Sequence, residues 1–237
     1  LFLPLFNFIA VDYCINVWLY SPLRDKKLKK YIEKLQFITH DIPGLSHIDQ
    51  ARIACEAGAK WIQYRCLTKN DQELLADIIP IAEICDDWGA TLIVTEHIHL
   101  SKLADIQGFH LEDTHAPIDA IKEQLGEEFT VGGTAHTAAD AVRLALAGAD
   151  YIGYGPFKTS TTKLTDLAPL GTAGFNILME EANTHLPDVP IIAVGGITAA
   201  DIAALMDTGI FGIAASSAIN QAEDMGEAYR EFYALLR

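Results

Sequence analysis

From Lys34 to the C-terminus of the 237-residue chain, short apolar runs alternate with longer stretches whose apolar positions recur at helical spacing. The runs cover residues 35–39, 60–65, 91–95, 107–111, 129–133, 150–154, 189–194 and 211–216. Each is mainly apolar rather than strictly alternating, the pattern of strands buried on both faces of a parallel sheet. Helical spacing is visible over residues 47–58, 70–88, 138–147, 173–183, 199–207 and 221–236. Eight such units over about two hundred residues predict an α/β fold, a (β/α)8 TIM barrel more than an open doubly wound sheet. A weak internal echo agrees: AGAKWIQ, AGADYIG and TGIFGIA each place a glycine (Gly58, Gly148, Gly209) where a helix ends in the left-handed region and the chain turns into a strand.

The first 33 residues depart from this rhythm. LFLPLFNFIAVDYCINVWLY is apolar enough for a membrane span, yet Pro4, Asn7, Asp12 and Asn16 interrupt it. No basic stretch precedes it and no A-x-A site follows, so a secretory signal fits it poorly. Arg24, Lys26, Lys27, Lys29 and Lys30 come after it, and the methionines are Met179, Met206 and Met225. Residues 1–33 therefore read as an extension outside the barrel, non-native or dispensable. A docked terminal arm and a reversed anchor are the alternatives. The catalytic barrel is assigned to 34–237.

Composition narrows the function classes. Seventeen Lys and Arg against 32 Asp and Glu give a formal charge of −15, which argues against nucleic acid or an anionic membrane as the main partner. Cys14, Cys55, Cys66 and Cys85 show no CxxC spacing and read as free thiols in a reducing, cytoplasmic setting. Cys55 and Cys85 fall in helical patterns as small buried hydrophobes.

In a barrel the chemistry collects at the C-terminal strand ends, and polar residues concentrate there. Gln63 and Arg65 share one side of the second strand. Thr95, Glu96 and His97 follow the third; Glu112, Asp113 and His115 the fourth; Thr134 and His136 the fifth. The run GPFKTSTTK follows the sixth, Gly195-Gly196-Ile197-Thr198 the seventh, and Ser216-Ser217 the eighth. The paired glycines ahead of a predicted helix read as a backbone anion site, and Ser160, Thr162 and Lys163 offer hydroxyl donors and an ammonium suited to a diphosphate.

These residues carry a family resemblance. WIQYR, GFHL, Thr134-Ala135-His136-Thr137, AGADYIGYGPF with STTK, VPIIAVGGIT and GIAASSAI occur in the order and spacing of thiamine-phosphate synthases, and the chain resembles that family from about residue 35 onward. The resemblance implies a transferase that joins hydroxymethylpyrimidine diphosphate to thiazole phosphate. Magnesium-assisted loss of diphosphate leaves a pyrimidine-methyl cation that the thiazole nitrogen captures. It further implies pyrimidine-diphosphate contacts from Gln63, Arg65 and Thr95, with Thr134 near the diphosphate. Ser160, Thr162 and Lys163 would hold the diphosphate and thiazole ends, and Gly195, Gly196, Ser216 and Ser217 the thiazole phosphate. Lys163, Arg65 and His136 become the catalytic candidates, and Glu96 and Asp113 the Mg2+ ligands.

The chain departs from the family at Leu67, where a lysine is usual, at Thr95-Glu96 in place of Asn-Asp, and at His115 in place of an aspartate. The resemblance therefore supports the thiazole-phosphate half of the site better than the diphosphate half. Alternatives are a thiazole tautomerase-like enzyme using His136 as acid and base, and a non-catalytic phosphate-ligand barrel. A zinc hydrolase built from Glu96, His97, His99, His110, Asp113 and His115 matches no standard zinc spacing. A homo-oligomer is left open.

Overall fold

Eight parallel strands, hydrogen-bonded in chain order, close on themselves in the computed structural model, which describes residues 30–159, 167–185 and 188–237. They are β1 (Leu35–Ile38), β2 (Trp61–Tyr64), β3 (Thr91–Thr95), β4 (Gly108–Leu111), β5 (Thr130–Ala135), β6 (Tyr151–Tyr154), β7 (Ile191–Val194) and β8 (Gly212–Ala215). Closure is made by β8 against β1, with Leu35 opposite Ile213 and Phe37 opposite Ala215. The predicted barrel and all eight of its strands are present. Most strands are a residue or two shorter than their apolar runs, because the run ends turn into loops.

Two apolar clusters hold the barrel. The larger one lies between the strands and the surrounding helices. The smaller fills the barrel axis with Ile38, Trp61, Ile93, Tyr151, Ile192 and Ala214, and Ile32, just before β1, packs against it. Room for Tyr151 comes from its partner across the β5–β6 ladder, Gly132. A Cβ at Gly132 would stand 2.2 Å from the Tyr151 Cζ, so no larger residue fits there with that ring in place.

The helices are set by local chemistry. In α1 (His47–Glu56) Ser46 caps the Asp49 N–H, and α2 (Asp71–Trp88) begins with an Asn70–Glu73 capping box and ends at left-handed Gly89. Gly58, Gly148 and Gly209 all have positive φ, as their place after helices predicted. Apart from the four-residue helix at Ser217–Asn220, one helix escaped the sequence reading, α3 (Ile118–Leu125). Its buried face carries Lys122, whose Nζ donates to Asp150 Oδ1 at 2.8 Å and to the Gly148 carbonyl at 3.0 Å. A cation pointing inward breaks the apolar stripe by which such a helix is found.

Then follow α4 (Ala138–Leu146), with a Thr137–Asp140 capping box, and α5 (Gly171–His185). The helix predicted over 199–207 is a 3-10 turn, Ala199–Asp201, leading into the short α6 (Ile202–Met206). Ser217–Asn220 forms α7, and α8 (Met225–Leu235) starts later than predicted, after the Asp224 cap. No helix among the described residues is long and apolar enough to cross a membrane.

Candidate active site

At the C-terminal mouth of the barrel lies a cavity of about 110 Å³. On one side stands β2. Gln63 is buried and its Nε2 donates to Thr95 Oγ1 at 2.8 Å, so Thr95 supports the wall from beneath while Gln63 lines it. The Gln63 Oε1 is buried and finds no hydrogen-bond partner among the described residues. An orphaned acceptor of this kind costs about 1–3 kcal/mol until a donor reaches it. Two residues on, Arg65 makes a forked ion pair with Glu112, Nε to Oε1 at 2.6 Å and Nη2 to Oε2 at 3.3 Å. Both side chains line the cavity and are less than one-fifth exposed.

The turn after β3 is strained. Glu96 and His97 have φ of 58° and 40°, a left-handed conformation that non-glycine residues adopt at a cost. Two side-chain bonds hold it: Glu96 Oε1 accepts the Glu112 N–H at 2.6 Å, and His97 Nε2 donates to the Cys66 carbonyl at 3.0 Å. Neither Glu96 nor Asp113 lines the cavity. Asp113 is exposed, and its Oδ1 accepts the His115 N–H at 2.9 Å, tying it into the turn after β4.

A polar chain forms the floor. Gln36 Nε2 donates to the Tyr151 hydroxyl (3.2 Å), which lies 3.1 Å from His110 Nδ1; His110 Nε2 is in turn 3.0 Å from Thr134 Oγ1. His110 stacks on Tyr151, and a Cβ at Gly153 would sit 3.1 Å from its Cε1. Burial drives the Tyr151 phenol well above its ordinary range, so it stays a neutral donor and acceptor.

His136 rises from the end of β5. Its Nδ1 lies 2.6 Å from the Gly155 carbonyl. A carbonyl only accepts, so Nδ1 carries the proton and Nε2 of the neutral ring is left as the acceptor.

The loops after β6 and β7 are zipped together. Phe157 and Lys158 donate to the Val194 and Gly195 carbonyls, both at 2.9 Å, and Lys158 Nζ reaches Asp201 at 2.6 Å. Gly195 and Gly196 have φ of 99° and 64°; a Cβ on Gly196 would stand 2.6 Å from the Thr159 carbonyl oxygen. Thr198 and Asp201 cap the following 3-10 turn reciprocally. The two glycines therefore allow both the turn and the close approach.

After β8, Ser216 and Ser217 complete the rim, with Ser216 Oγ 2.8 Å from His40 Nδ1. Burial, with repulsion from His47, pulls the His40 pKa down; Asp41 opposes that shift and Arg65 adds to it.

The predicted residues Gln63, Arg65, Thr134, His136, Gly195, Gly196, Ser216 and Ser217 thus meet around one cavity. Ser160, Thr162 and Lys163 lie outside the described residues. Gln36, His110 and Glu112 also line the cavity, and the sequence reading gave none of them a role in the coupling reaction. The period of two along β1 and β4, which points Gln36 and Ile38 inward and likewise His110 and Glu112, is the signal that finds them.

A sequence profile described as thiamine monophosphate synthase matches residues 35–219. The chain belongs to this family. Among its relatives is a thiamine-phosphate synthase of Phocaeicola vulgatus, 44% identical over 195 residues, which are 81% of this chain and 92% of that protein. Another, from Bacteroides fragilis, is 41% identical over 190 residues, 80% of this chain and 93% of the relative. Among solved structures, a thiamine phosphate pyrophosphorylase from Pyrococcus furiosus superposes with a TM-score of 0.74 at 25% identity, covering 86% of this chain and 95% of that one. The family match spans every strand of the barrel, so the cavity described above is the family's barrel mouth.

Proposed function

We propose that this chain is a thiamine-phosphate synthase that couples hydroxymethylpyrimidine diphosphate with thiazole phosphate. One observation carries the reading. A single cavity joins an amide-and-guanidinium wall, Gln63 and Arg65, to a glycine and serine rim suited to a phosphate. A two-substrate displacement needs both ends to face one space.

In this reaction the bond between the pyrimidine methylene and the diphosphate oxygen breaks, and its electron pair leaves with the diphosphate. The thiazole nitrogen lone pair forms the new carbon–nitrogen bond, and no proton need move. The protein's task is to position both partners and neutralise the leaving group. The orphaned Gln63 Oε1 accepts from an amino group on the pyrimidine. Arg65 exchanges Glu112 for the diphosphate, which Ser160, Thr162 and Lys163 also hold. Gly195, Gly196, Ser216 and Ser217 bind the thiazole phosphate, and Thr134, fixed by His110, borders the diphosphate.

Carboxylates stand at the adjoining ends of β3 and β4, where the Glu96 carboxylate meets the Glu112 backbone. Hard oxygen donors of this kind fit Mg2+, which commonly takes only one or two protein carboxylates beside a substrate phosphate. Neither Glu96 nor Asp113 lines the cavity, but Glu96 bonds the backbone of the lining residue Glu112, so the two would hold the ion at the cavity's edge, where it would neutralise charge on the leaving diphosphate. We place the enzyme in the cytoplasm and begin the catalytic barrel after residue 33, with Ile32 of the preceding segment packing on its axis cluster; the free thiols of Cys55, Cys66 and Cys85 agree with a reducing setting.

A second reading, a tautomerase acting on the thiazole, is favoured by His136. With Nδ1–H fixed on Gly155, Nε2 can take and return a proton. Incubation with both substrates and Mg2+, assayed for thiamine monophosphate, separates the two. Product formation is expected. Absence of product with retained thiazole phosphate binding would refute the synthase reading.

A further inference from the structure

The segments that leave β1 and β2, with the start of α1, gather three side chains that the proposed reaction does not use. His47 Nε2 lies 3.1 Å from Asp41 Oδ1, and Cys66 Sγ lies 3.9 Å from the same oxygen. All three ligand atoms fall within 4.8 Å of one another. With metal–ligand bonds of about 2.0–2.3 Å, donors around a tetrahedral ion stand roughly 3.3–3.8 Å apart. The trio is already close to that spacing.

We propose that Asp41, His47 and Cys66 form a binding site for one borderline-soft divalent cation of the zinc class. The donor set is one carboxylate oxygen, one imidazole nitrogen and one thiol sulfur. Sulfur and nitrogen donors select such an ion over magnesium, which prefers oxygen alone. The site is therefore chemically separate from the one that serves the diphosphate.

The surroundings support the assignment. His47 and Cys66 are buried, so two of the three donors are held by packing, while exposed Asp41 leaves a route from solvent. His47 Nδ1 lies 2.8 Å from Thr39 Oγ1, the kind of outer hydrogen bond that orients a metal-bound imidazole. Tyr64 packs edge-on against the same ring at 4.9 Å between centroids. Thr68 Oγ1 lies 3.6 Å from the Cys66 sulfur, and a water would complete four-coordination.

The protons balance. In the metal-free protein His47 Nε2–H donates to Asp41, and Nδ1 accepts from the Thr39 hydroxyl. When the ion takes Nε2, the ring proton moves to Nδ1 and donates to Thr39 Oγ1. The Cys66 thiol proton is released to solvent. Thr39 Oγ1 also accepts the Arg65 N–H at 3.2 Å, so a loaded ion would brace the backbone beside a cavity residue without touching substrate.

The test is titration of the purified, reduced full chain with Co2+ alone. One equivalent should saturate a thiolate-to-cobalt charge-transfer absorption with the visible bands of a tetrahedral site. Zn2+ should displace it, and excess Mg2+ should not. Cys66→Ser should abolish the charge-transfer band, while Cys14→Ser, Cys55→Ala and Cys85→Ala keep it. Asp41→Ala removes an exposed side chain, leaves folding intact by circular dichroism and should weaken affinity at least tenfold. The proposal is overturned by a wild-type chain without the band, by a band that survives Cys66→Ser, or by an affinity that Asp41→Ala does not move.

Discussion

Glu112→Gln is expected to tighten diphosphate binding, because the anion must displace this carboxylate from Arg65. The pair is forked, at 2.6 and 3.3 Å, with side chains 18% and 17% exposed. Hydrogen bonds to charged groups in such settings contribute about 1.5–3 kcal/mol, and opening the fork charges part of that against the incoming ligand. Glutamine keeps the size and one acceptor but removes the charge. If about 1–1.4 kcal/mol is recovered, affinity rises roughly fivefold to tenfold. The assay is calorimetric titration with inorganic diphosphate at fixed ionic strength and without divalent cations, so that only the protein's own donors are read. Arg65→Met should bind weakly, and adding Glu112→Gln to it should bring no further gain, since the guanidinium that profits has gone. An unchanged or weaker Kd in Glu112→Gln would refute the reasoning and make the pair a structural clasp instead of an occupied ligand site.

Gly196→Val should weaken thiazole phosphate binding at least tenfold, read by the same calorimetry. Its Cβ would press on the Thr159 carbonyl at 2.6 Å while the residue is held at φ 64°; equal affinity would count against the cradle. Lys163→Ala should lower the coupling rate about 10²–10³-fold if its ammonium neutralises the leaving group, and full activity would exclude that role. Gly132→Ala should destabilise the fold by about 1–3 kcal/mol in denaturant melts through overpacking against Tyr151. His40, its pKa lowered in the folded chain chiefly by burial, stays neutral where an unfolded histidine takes up a proton near pH 6.5. The unfolded chain therefore binds more protons as the pH falls through about 6.5, and stability should drop with it. A His40→Gln variant should show a shallower loss between pH 7.5 and 5.5, and an equally steep one would remove His40 from the account.

The barrel was legible because every strand is an apolar run, and buried parallel strands need no alternation to be seen. What escaped was polar and inward-pointing. Lys122 hid α3, since its partner Asp150 is met only once the chain is folded. Gln63 and Arg65 stood out by their spacing within one strand. The Arg65–Glu112 fork, 47 residues apart in sequence, requires β2 and β4 to be brought to one mouth of the barrel. His110 reads in sequence as a lone histidine in a strand; only the approach of Tyr151 and Thr134 makes it the centre of a polar chain. The trio of Asp41, His47 and Cys66 is likewise dispersed over two loops and the first residue of α1, and takes shape only when β1 and β2 lie side by side.

The fit of Tyr151 over Gly132 has a consequence for how this barrel can change over generations. The two residues face each other across one ladder and share a single volume along the axis. Neither position is free to drift alone: a side chain gained at 132 demands atoms given up at 151. Related barrels are expected to preserve the sum of the two volumes and not the two identities. Lineages that lose the aromatic ring should be those in which residue 132 has grown.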